Sequence, residues 1–179
     1  MAGLTGVVNA IDTIVISLIN TRNQSCYCVR SMQESDLDAV LAIEMIAQHH
    51  PWSSQSFLSS IGSNHDCYLL TSATCSKTIV AYAITSTVVD EAELLNITVN
   101  PAYQRQGIGL LLLDYISDSF EATISTLFLE VRRSNSPAIA LYDASGFNEV
   151  GVRANYYPSN NGDNYSREDA LIMAKALSL

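Results

Sequence analysis

One stretch in the second half of the chain, VNPAYQRQGIGLLLL at residues 99–113, limits the fold more than any other part of the sequence. Two glycines, Gly107 and Gly109, lie between polar residues and a strongly apolar segment. Glycine lets the backbone turn so that several N–H groups point at one place, and a following helix adds the positive end of its dipole. The stretch therefore predicts a strand, a tight turn that binds an anion, and a buried helix.

The composition favours a single domain with a large core. Of the 179 residues, 48% are hydrophobic and only 15% are charged, which is typical of a globular chain and not of a disordered one. The formal net charge of -9 argues against nucleic acid as the main ligand, because phosphate backbones are bound by Lys and Arg. An acidic surface is compatible with a basic peptide or an amine, although it is more simply explained by solubility.

The cysteines and the N-terminus indicate no metal site and no membrane anchor. The four cysteines form neither a CxxC pair nor a metal-binding spacing with the three histidines, so we expect reduced thiols in a cytoplasmic protein. The apolar residues 7–19 are interrupted by Asp12, are too short to cross a bilayer and lack the flanks of a signal peptide. We expect residues 1–28 to be an N-terminal extension that is poorly ordered or lies upstream of a natural start such as Met32.

The rest of the chain alternates between strand-like and helix-like segments. The expected strands cover residues 27–32, 67–71, 78–89, 93–99, 127–131, 147–153 and 170–176. The expected helices cover residues 37–50, 54–61, 109–120 and 137–145, with a capping box at residues 35–38 and with Ser136 as the cap of the last helix. This order has no strict βαβ repeat and predicts a mixed α/β or α+β domain.

The glycine stretch and its flanks resemble a known family. The hexapeptide QRQGIG at residues 104–109 is similar to the Q/R-x-x-G-x-G/A pyrophosphate loop of the GNAT superfamily, the acetyl-CoA-dependent N-acetyltransferases. LNITVNP precedes it, LEVR follows one helix later, and SN, ALY and GF come next in the same order. With PWS after the first helix and NYYP followed by REDA near the end, the chain resembles the RimI branch, the ribosomal-protein alanine N-acetyltransferases.

This resemblance implies a fold and a cosubstrate. The fold is α+β (mixed α/β), with a central mixed, mostly antiparallel sheet flanked by helices, in a domain of residues 29–179. The cosubstrate is acetyl-CoA, whose pantetheine arm pairs with the end of a strand and whose pyrophosphate binds the glycine loop. The residues that match these positions are Ile97, Thr98, Val99, Arg105, Gln106, Gly107, Ile108, Gly109, Leu110 and Asn135. Leu110 departs from the pattern, because Arg or Lys often stands there, and Asn135 either contacts the cofactor or caps the next helix.

The resemblance also implies two catalytic residues. Glu130 matches the general base and lies in an apolar run, where a carboxylate is costly unless it is paired or used; pairing with Arg132 or Arg133 is the alternative. Tyr142 matches the proton donor to the leaving thiolate, and simple helix packing is its alternative. No cysteine occupies a motif position, so the resemblance implies direct attack by the amine through a tetrahedral intermediate.

The acceptor is the least constrained part of this interpretation. Tyr156 and Tyr157 match part of an acceptor groove, with core packing as the alternative, and Trp52 is expected to be a core anchor beneath it. The branch implies transfer to the N-terminal α-amine of a ribosomal protein that starts with alanine, without direct contact with nucleic acid or membrane. A lysine, a polyamine or another small amine stays open as the acceptor, and so does a non-catalytic acetyl-CoA sensor.

Overall fold

A computed structural model describes residues 7–10, 13–20, 25–73, 75–158 and 166–177. Within these ranges the strands are β1 Val7–Ala10, β2 Thr13–Asn20, β3 Ser25–Ser31, β4 Asp66–Ser72, β5 Cys75–Val88, β6 Glu91–Val99, β7 Thr126–Arg132, β8 Asn148–Pro158 and β9 Arg167–Ala176. The helices are α1 Leu37–Ala47, α2 Ser54–Ile61, α3 Ile108–Ser119 and α4 Ser136–Ala144, with 3-10 turns at Glu34–Asp36 and Pro101–Tyr103.

The described strands form one sheet in the order β1-β2-β3-β4-β5-β6-β7-β9-β8. Only β6 and β7 pair in parallel among these strands, and all the other neighbours are antiparallel. The expected mixed, mostly antiparallel sheet flanked by helices is therefore confirmed. All seven expected strands correspond to β3–β9, and all four expected helices are present.

The two faces of the sheet are covered by different helix pairs. On one face, Leu112, Leu113 and Ile116 of α3 are fully buried in the larger of two apolar clusters, which also contains Leu127 and Leu129 of β7. On the other face, Val40 of α1 and Phe57 of α2 pack with Tyr82 of β5 in the smaller cluster. Burial of each such side chain stabilises the fold by about 1.5–3 kcal/mol, so both helix pairs are held against the sheet.

Three expectations about helix ends are wrong. α1 ends at Ala47 and not at His50, because Gln48 has an extended backbone (φ -116, ψ 135). The hydrogen bond at the start of α1 runs from Gln33 N–H to Asp36 Oδ2 (2.9 Å) and not within residues 35–38 as a capping box. The cap of α4 is Asn135, whose Oδ1 accepts from Ala138 N–H (3.2 Å), so Ser136 is the first helical residue.

The described residues of the expected N-terminal extension lie in strands of the same sheet. β2 pairs with β3, and Leu18 of β2 is 1% exposed in the larger apolar cluster. The sequence did not indicate these strands. The boundary between residues 28 and 29 falls within β3, and the division into extension and domain stays a prediction. No helix in the described ranges is long and apolar enough to cross a membrane.

Candidate active site

The site is a cleft created where β6 and β7 separate. These parallel strands pair from Glu91 opposite Thr126 to Leu94 opposite Leu129, and no pairing is present beyond that point in the described chain. The ends of both strands therefore diverge around an opening of about 1020 Å³. Its walls include the last residues of β6, the glycine loop, the start of α3, the last residues of β7 and one side of α4.

The exposed edge of β6 presents backbone groups to this cleft. Asn100 N–H donates to Val80 O of β5 (2.9 Å), which makes these two residues a hydrogen-bonded pair. Bonded and non-bonded pairs alternate along an antiparallel ladder, so Ile97 and Val99 belong to non-bonded pairs with β5. Their N–H groups point toward the gap, where an extended ligand can pair with them as a further strand would.

The glycine loop ends at the N-terminus of α3, beside the same cleft. Gly107 has φ +82, in the left-handed region that favours glycine, and it is the N-cap of α3. The first N–H groups of a helix have no partner within the helix, and the dipole makes this end positive. Gly109 brings α3 close to α4, because a Cβ atom there would lie 3.1 Å from Leu141 Cδ2. The loop thus has the geometry of an anion-binding turn.

Most of the residues expected to bind acetyl-CoA are brought together here. Those lining the cleft are Ile97, Thr98, Val99, Arg105, Gly107, Ile108, Gly109, Leu110 and Asn135, whereas Gln106 is not part of the lining. The backbone of Gln106 is held by Asn20 Nδ2, which donates to Gln106 O (2.8 Å). Arg105 is exposed with φ +63, and Asn135 acts as the helix cap described above. The ligand contacts of these residues stay predictions.

Glu130 lies on β7 just past the last residue that pairs with β6. Its side chain is 16% exposed and lines the cleft, and Oε1 lies 2.9 Å from Nη1 of Arg153 on β8. The alternative partners expected from the sequence are wrong, because Arg132 pairs with Glu168 (2.8 Å) and Arg133 with Asp169 (3.7 Å). A carboxylate in the cleft is thus stabilised by a partner from another strand.

Tyr142 faces the cleft from α4. The residue is 7% exposed, and its ring packs on Phe147 with centroids 5.8 Å apart. Burial raises the pKa of Tyr142, and neighbouring Tyr157 raises it further, so the hydroxyl stays protonated throughout the neutral range. No described residue forms a hydrogen bond with this hydroxyl, which leaves it available to a ligand.

Two arginine–tyrosine stacks lie next to Glu130. The Arg132 guanidinium lies 4.4 Å from the ring centroid of Tyr157, and that of Arg153 lies 4.7 Å from the centroid of Tyr156. Tyr157 Oη of β8 also donates to the backbone oxygen of Glu130 on β7 (3.3 Å). Burial raises the pKa of Tyr157 to about 12; Glu130 and Tyr156 add to this increase and Arg132 opposes it. Tyr157 lines the cleft, whereas Tyr156 is 39% exposed beside it.

A buried carboxylate, Glu44 of α1, lies under the β6 wall and was not expected from the sequence. Glu44 is 1% exposed and accepts hydrogen bonds from Tyr82 Oη and from Trp52 N–H (2.9 Å). Longer bonds come from Asn96 Nδ2 (3.4 Å) and Thr98 Oγ1 (3.5 Å). We call these five residues the Glu44 cluster. The local sequence indicates the burial of Glu44 only through its position one helical turn after the apolar Val40, which is also buried.

The Glu44 cluster holds α1 against the β6 side of the cleft. Trp52 packs on Phe57, with ring centroids 5.5 Å apart, but it is half-buried and also lines the cleft, so it is not only a core anchor. Gln48, just after α1, donates through Nε2 to Thr98 Oγ1 (3.0 Å). Burial raises the pKa of Tyr82, and the negative charge of Glu44 adds to this increase. The cluster therefore connects α1, the segment after it, β5 and β6 through neutral donors.

The described residues contain no grouping of three or more His, Cys, Asp or Glu side chains that suits a metal ion. Cys26, Cys28 and Cys67 carry free thiols. The absence of a metal cofactor stays a prediction.

Comparison with known proteins identifies the family. Residues 37–147 match the family model described as "Acetyltransferase (GNAT) family". The [Ribosomal protein bS18]-alanine N-acetyltransferase of Escherichia coli K12 is 46% identical over 152 residues, which are 84% of this chain and 98% of that protein. Its counterpart in Salmonella typhimurium is 44% identical over 149 residues, which are 83% and 96% of the two chains.

Solved structures agree with this relationship. The crystal structure of the Escherichia coli ribosomal-protein-S18-alanine N-acetyltransferase superposes with a TM-score of 0.76 at 44% identity, over 86% of this chain and 95% of that chain. Arabidopsis thaliana NAA60 in complex with acetyl-CoA shares the fold at 17% identity, with a TM-score of 0.74 over 84% and 98% of the chains. The chain belongs to the acetyltransferase (GNAT) family.

Proposed function

We propose that this protein transfers an acetyl group from acetyl-CoA to the N-terminal α-amine of an alanine-starting protein, and that its acceptor is ribosomal protein bS18. One observation carries the proposal: nearly the whole length of the bS18-alanine N-acetyltransferases matches this chain at more than 40% identity. The convergence of Glu130 and Tyr142 on one cleft supports it independently. The reduced thiols are consistent with work in the cytoplasm.

Acetyl-CoA fits the cleft in one direction. The glycine loop and the N-terminus of α3 offer N–H donors and a positive dipole to the pyrophosphate. The N–H groups of Ile97 and Val99 face the gap and suit the pantetheine arm and the thioester oxygen. The thioester then lies between Glu130 on β7 and Tyr142 on α4, the two walls that meet where the strands separate.

In this proposal Glu130 removes a proton from the acceptor amine. An α-amine has a pKa of about 8 and a lysine amine one of about 10.4, so the neutral fraction of the α-amine near pH 7 is more than about a hundredfold larger. The amine nitrogen attacks the thioester carbon, and its proton passes to Glu130 directly or through water. Backbone N–H groups at the end of β6 stabilise the negative oxygen of the tetrahedral intermediate.

Tyr142 then assists departure of the thiolate. Burial raises the pKa of Tyr142 above that of a thiol, about 8.5, so the phenol keeps its proton until charge develops on the sulfur. As the C–S bond breaks, the hydroxyl stabilises the sulfur by donating a hydrogen bond and then its proton. The proton held by Glu130 returns to the phenolate of Tyr142 through solvent, which restores both groups. The thiol of CoA and the acetylated amine are the products.

The test is a mass-spectrometric assay with acetyl-CoA and a short basic peptide that begins with alanine and contains one lysine. A parallel peptide has its α-amine blocked. The expected result is acetylation of the free α-amine and no modification of the blocked peptide. Acetylation of the lysine in both peptides would keep the family and contradict the acceptor. No transfer to either peptide, with acetyl-CoA binding shown by thermal shift, would favour a non-catalytic sensor.

A further inference from the structure

Arg153 of β8 connects the proposed general base, Glu130, to Tyr156, which is expected to belong to the acceptor groove. Its Nη1 lies 2.9 Å from Oε1 of Glu130, and its guanidinium carbon lies 4.7 Å from the ring centroid of Tyr156. The side chain of Arg153 is 53% exposed, whereas that of Glu130 is 16% exposed. Arg153 is therefore the more solvent-exposed partner of this ion pair.

An irregularity in β8 places Arg153 at this point. The register with β9 changes between Arg153, opposite Ala170, and Tyr157, opposite Glu168, so β8 carries extra residues here. Asn155, within the bulge, has φ +52, and its N–H donates to Asp169 Oδ1 (3.0 Å). The bulge directs both Arg153 and Tyr157 toward Glu130.

A second contact from β9 holds the bulge in place. Arg167 donates through Nη1 to the carbonyl oxygens of Asn155 (3.3 Å) and Tyr156 (3.0 Å). The position of Arg153 is therefore fixed by backbone contacts from the neighbouring strand.

The other charged groups around Glu130 do not replace Arg153. Arg132, on the same strand, is bound to Glu168 of β9 (2.8 Å) and to Pro158 O (2.6 Å). Tyr157 of β8 is a neutral phenol at working pH. Glu93 of β6 is a second carboxylate nearby: burial raises its pKa, the charge of Glu130 adds to this, and Arg153 opposes it. Among the residues that the structure describes, Arg153 is thus the cation that pairs with Glu130.

We propose that Arg153 is a positioning residue that makes the site bind the acceptor as a neutral amine, a role that rests on the function proposed above. An unpaired Glu130 would form a salt bridge with the acceptor's ammonium group and hold it in its unreactive form. When Arg153 is paired with Glu130, the carboxylate that would attract an incoming ammonium group is already neutralised. The guanidinium of Arg153, which has the same charge as the ammonium, also lies close to it. A like charge at that distance lowers an amine pKa by about one unit.

The expected consequence is a separation of kcat from KM. In Arg153→Gln, Glu130 is free to bind the ammonium, so KM for the peptide stays the same or falls. The neutral fraction of an amine at pH 7 falls about fivefold when its pKa rises from about 7 to about 8, so kcat is expected to fall about fivefold near pH 7. Near pH 9, where an α-amine is neutral without help, kcat of this variant approaches that of the wild type. A purely structural role for Arg153 would give a loss that does not depend on pH.

The experiment measures kcat and KM near pH 7 and pH 9 with the alanine-starting peptide and saturating acetyl-CoA. Arg153→Lys keeps the charge and is expected to retain most of the activity near pH 7. Arg153→Met keeps the aliphatic stem over Tyr156 and is a second uncharged variant. Arg30→Gln on β3 removes an arginine that is likewise paired with a carboxylate, Asp36 (2.7 Å), contacts neither Glu130 nor β8, and is expected to behave as wild type. Melting temperatures verify that each variant is folded.

Each outcome is decisive. A kcat loss near pH 7 that recovers near pH 9, without an increase in KM and with rescue by lysine, supports the proposal. Equal losses at both pH values, a lysine variant as poor as glutamine, or a glutamine variant identical to the wild type overturns it. If the wild type acetylates no α-amine at either pH, the proposed function itself fails, and that result is visible before any variant is compared.

Discussion

Glu130 is the residue on which the proposed chemistry depends most directly. Glu130→Gln keeps the size of the side chain but cannot accept a proton from the amine. We expect kcat to fall about 10²- to 10⁴-fold, the usual contribution of a general base. Acetyl-CoA affinity should be nearly unchanged, because no cosubstrate contact is assigned to this side chain. Release of free thiol measures the rate, and thermal shift measures the affinity.

The matched control is Glu149→Gln, which removes an exposed carboxylate of β8 outside the cleft. It is expected to leave the rate unchanged. A Glu130→Gln enzyme with wild-type kcat would remove Glu130 from the mechanism.

Tyr142 gives an independent test, because its hydroxyl has a role separate from that of its ring. Tyr142→Phe keeps the packing on Phe147 and removes only the oxygen. We expect kcat to fall at least about tenfold with a melting temperature close to that of the wild type. Steady-state rates together with thermal unfolding measure both quantities. Tyr115→Phe on α3, which removes a half-buried hydroxyl outside the cleft, is the control; equal rates for both variants would show that Tyr142 only packs.

Some contacts of single residues cannot be predicted from the sequence. The sequence identifies Glu130 and Tyr142 as candidate catalytic residues because each lies in a short motif, and the order and spacing of these motifs resemble those of the family. The partner of Glu130 was predicted among its immediate neighbours, whereas Arg153 reaches it from another strand. Glu44 likewise contacts Tyr82 and Thr98, which come from other elements. Such pairings depend on strand order and register, and no local pattern of residues carries that information.

At the scale of elements, the cap of α4 decides between two expectations from the sequence, Ser136 and Asn135, in favour of Asn135. Asn135 Oδ1 accepts from Ala138 N–H, whereas Ser136 is exposed in the first turn. Asn135→Ala is expected to lower the free energy of unfolding by about 1 kcal/mol, and Ser136→Ala by much less. Urea denaturation without acetyl-CoA measures this difference and separates capping from ligand contact. The reverse order would restore Ser136 as the cap.

The Glu44 cluster gives a second prediction at this scale, because it connects two strands to α1. Glu44→Gln keeps the volume but replaces one acceptor oxygen with an NH2 group that faces the donors of Tyr82 and Thr98. An unsatisfied buried donor costs about 1–3 kcal/mol, so we expect the free energy of unfolding to fall by at least that amount. Urea denaturation is the measurement, with exposed Glu34→Gln as control. Equal stability of the two variants would contradict a structural role for the cluster.

The positions of the helices and of strands β3–β9 could be predicted from the sequence, but some of the residues at which they begin or end could not. Apolar periodicity identified the seven strands β3–β9 and the four helices, because each must bury one face. Pro51 predicts that α1 continues to His50, yet Gln48 already has an extended backbone and its side chain donates to Thr98 on β6. This contact with another element has no local sign in the sequence.

At the scale of the whole molecule, the cleft results from the change from antiparallel to parallel pairing. β6 and β7 lie side by side for four residues and then separate, so the site opens inside the sheet and not on its surface. The two apolar clusters hold helices on opposite faces of this opening. The glycine loop approaches it from the face that carries α3, and Glu130 lies on the face that carries α1. The family resemblance supplied this architecture, which alternation of strands and helices alone left undecided between mixed α/β and α+β.

The charge of the whole chain leads to a last prediction. Eighteen acidic residues against nine Lys and Arg give a net charge of -9. The protein therefore attracts a basic peptide through long-range electrostatic interactions, which salt weakens. We expect kcat/KM for the basic alanine-starting peptide to fall about three- to tenfold between about 20 mM and 300 mM NaCl. A peptide of the same length with its internal basic residues replaced by alanine should show little salt dependence. When the peptide is saturating, the rate depends only on groups that are already bound. The effect of salt on kcat/KM should therefore appear in KM and not in kcat. Equal salt dependence for both peptides would mean that the acidic surface contributes to solubility and not to acceptor recruitment.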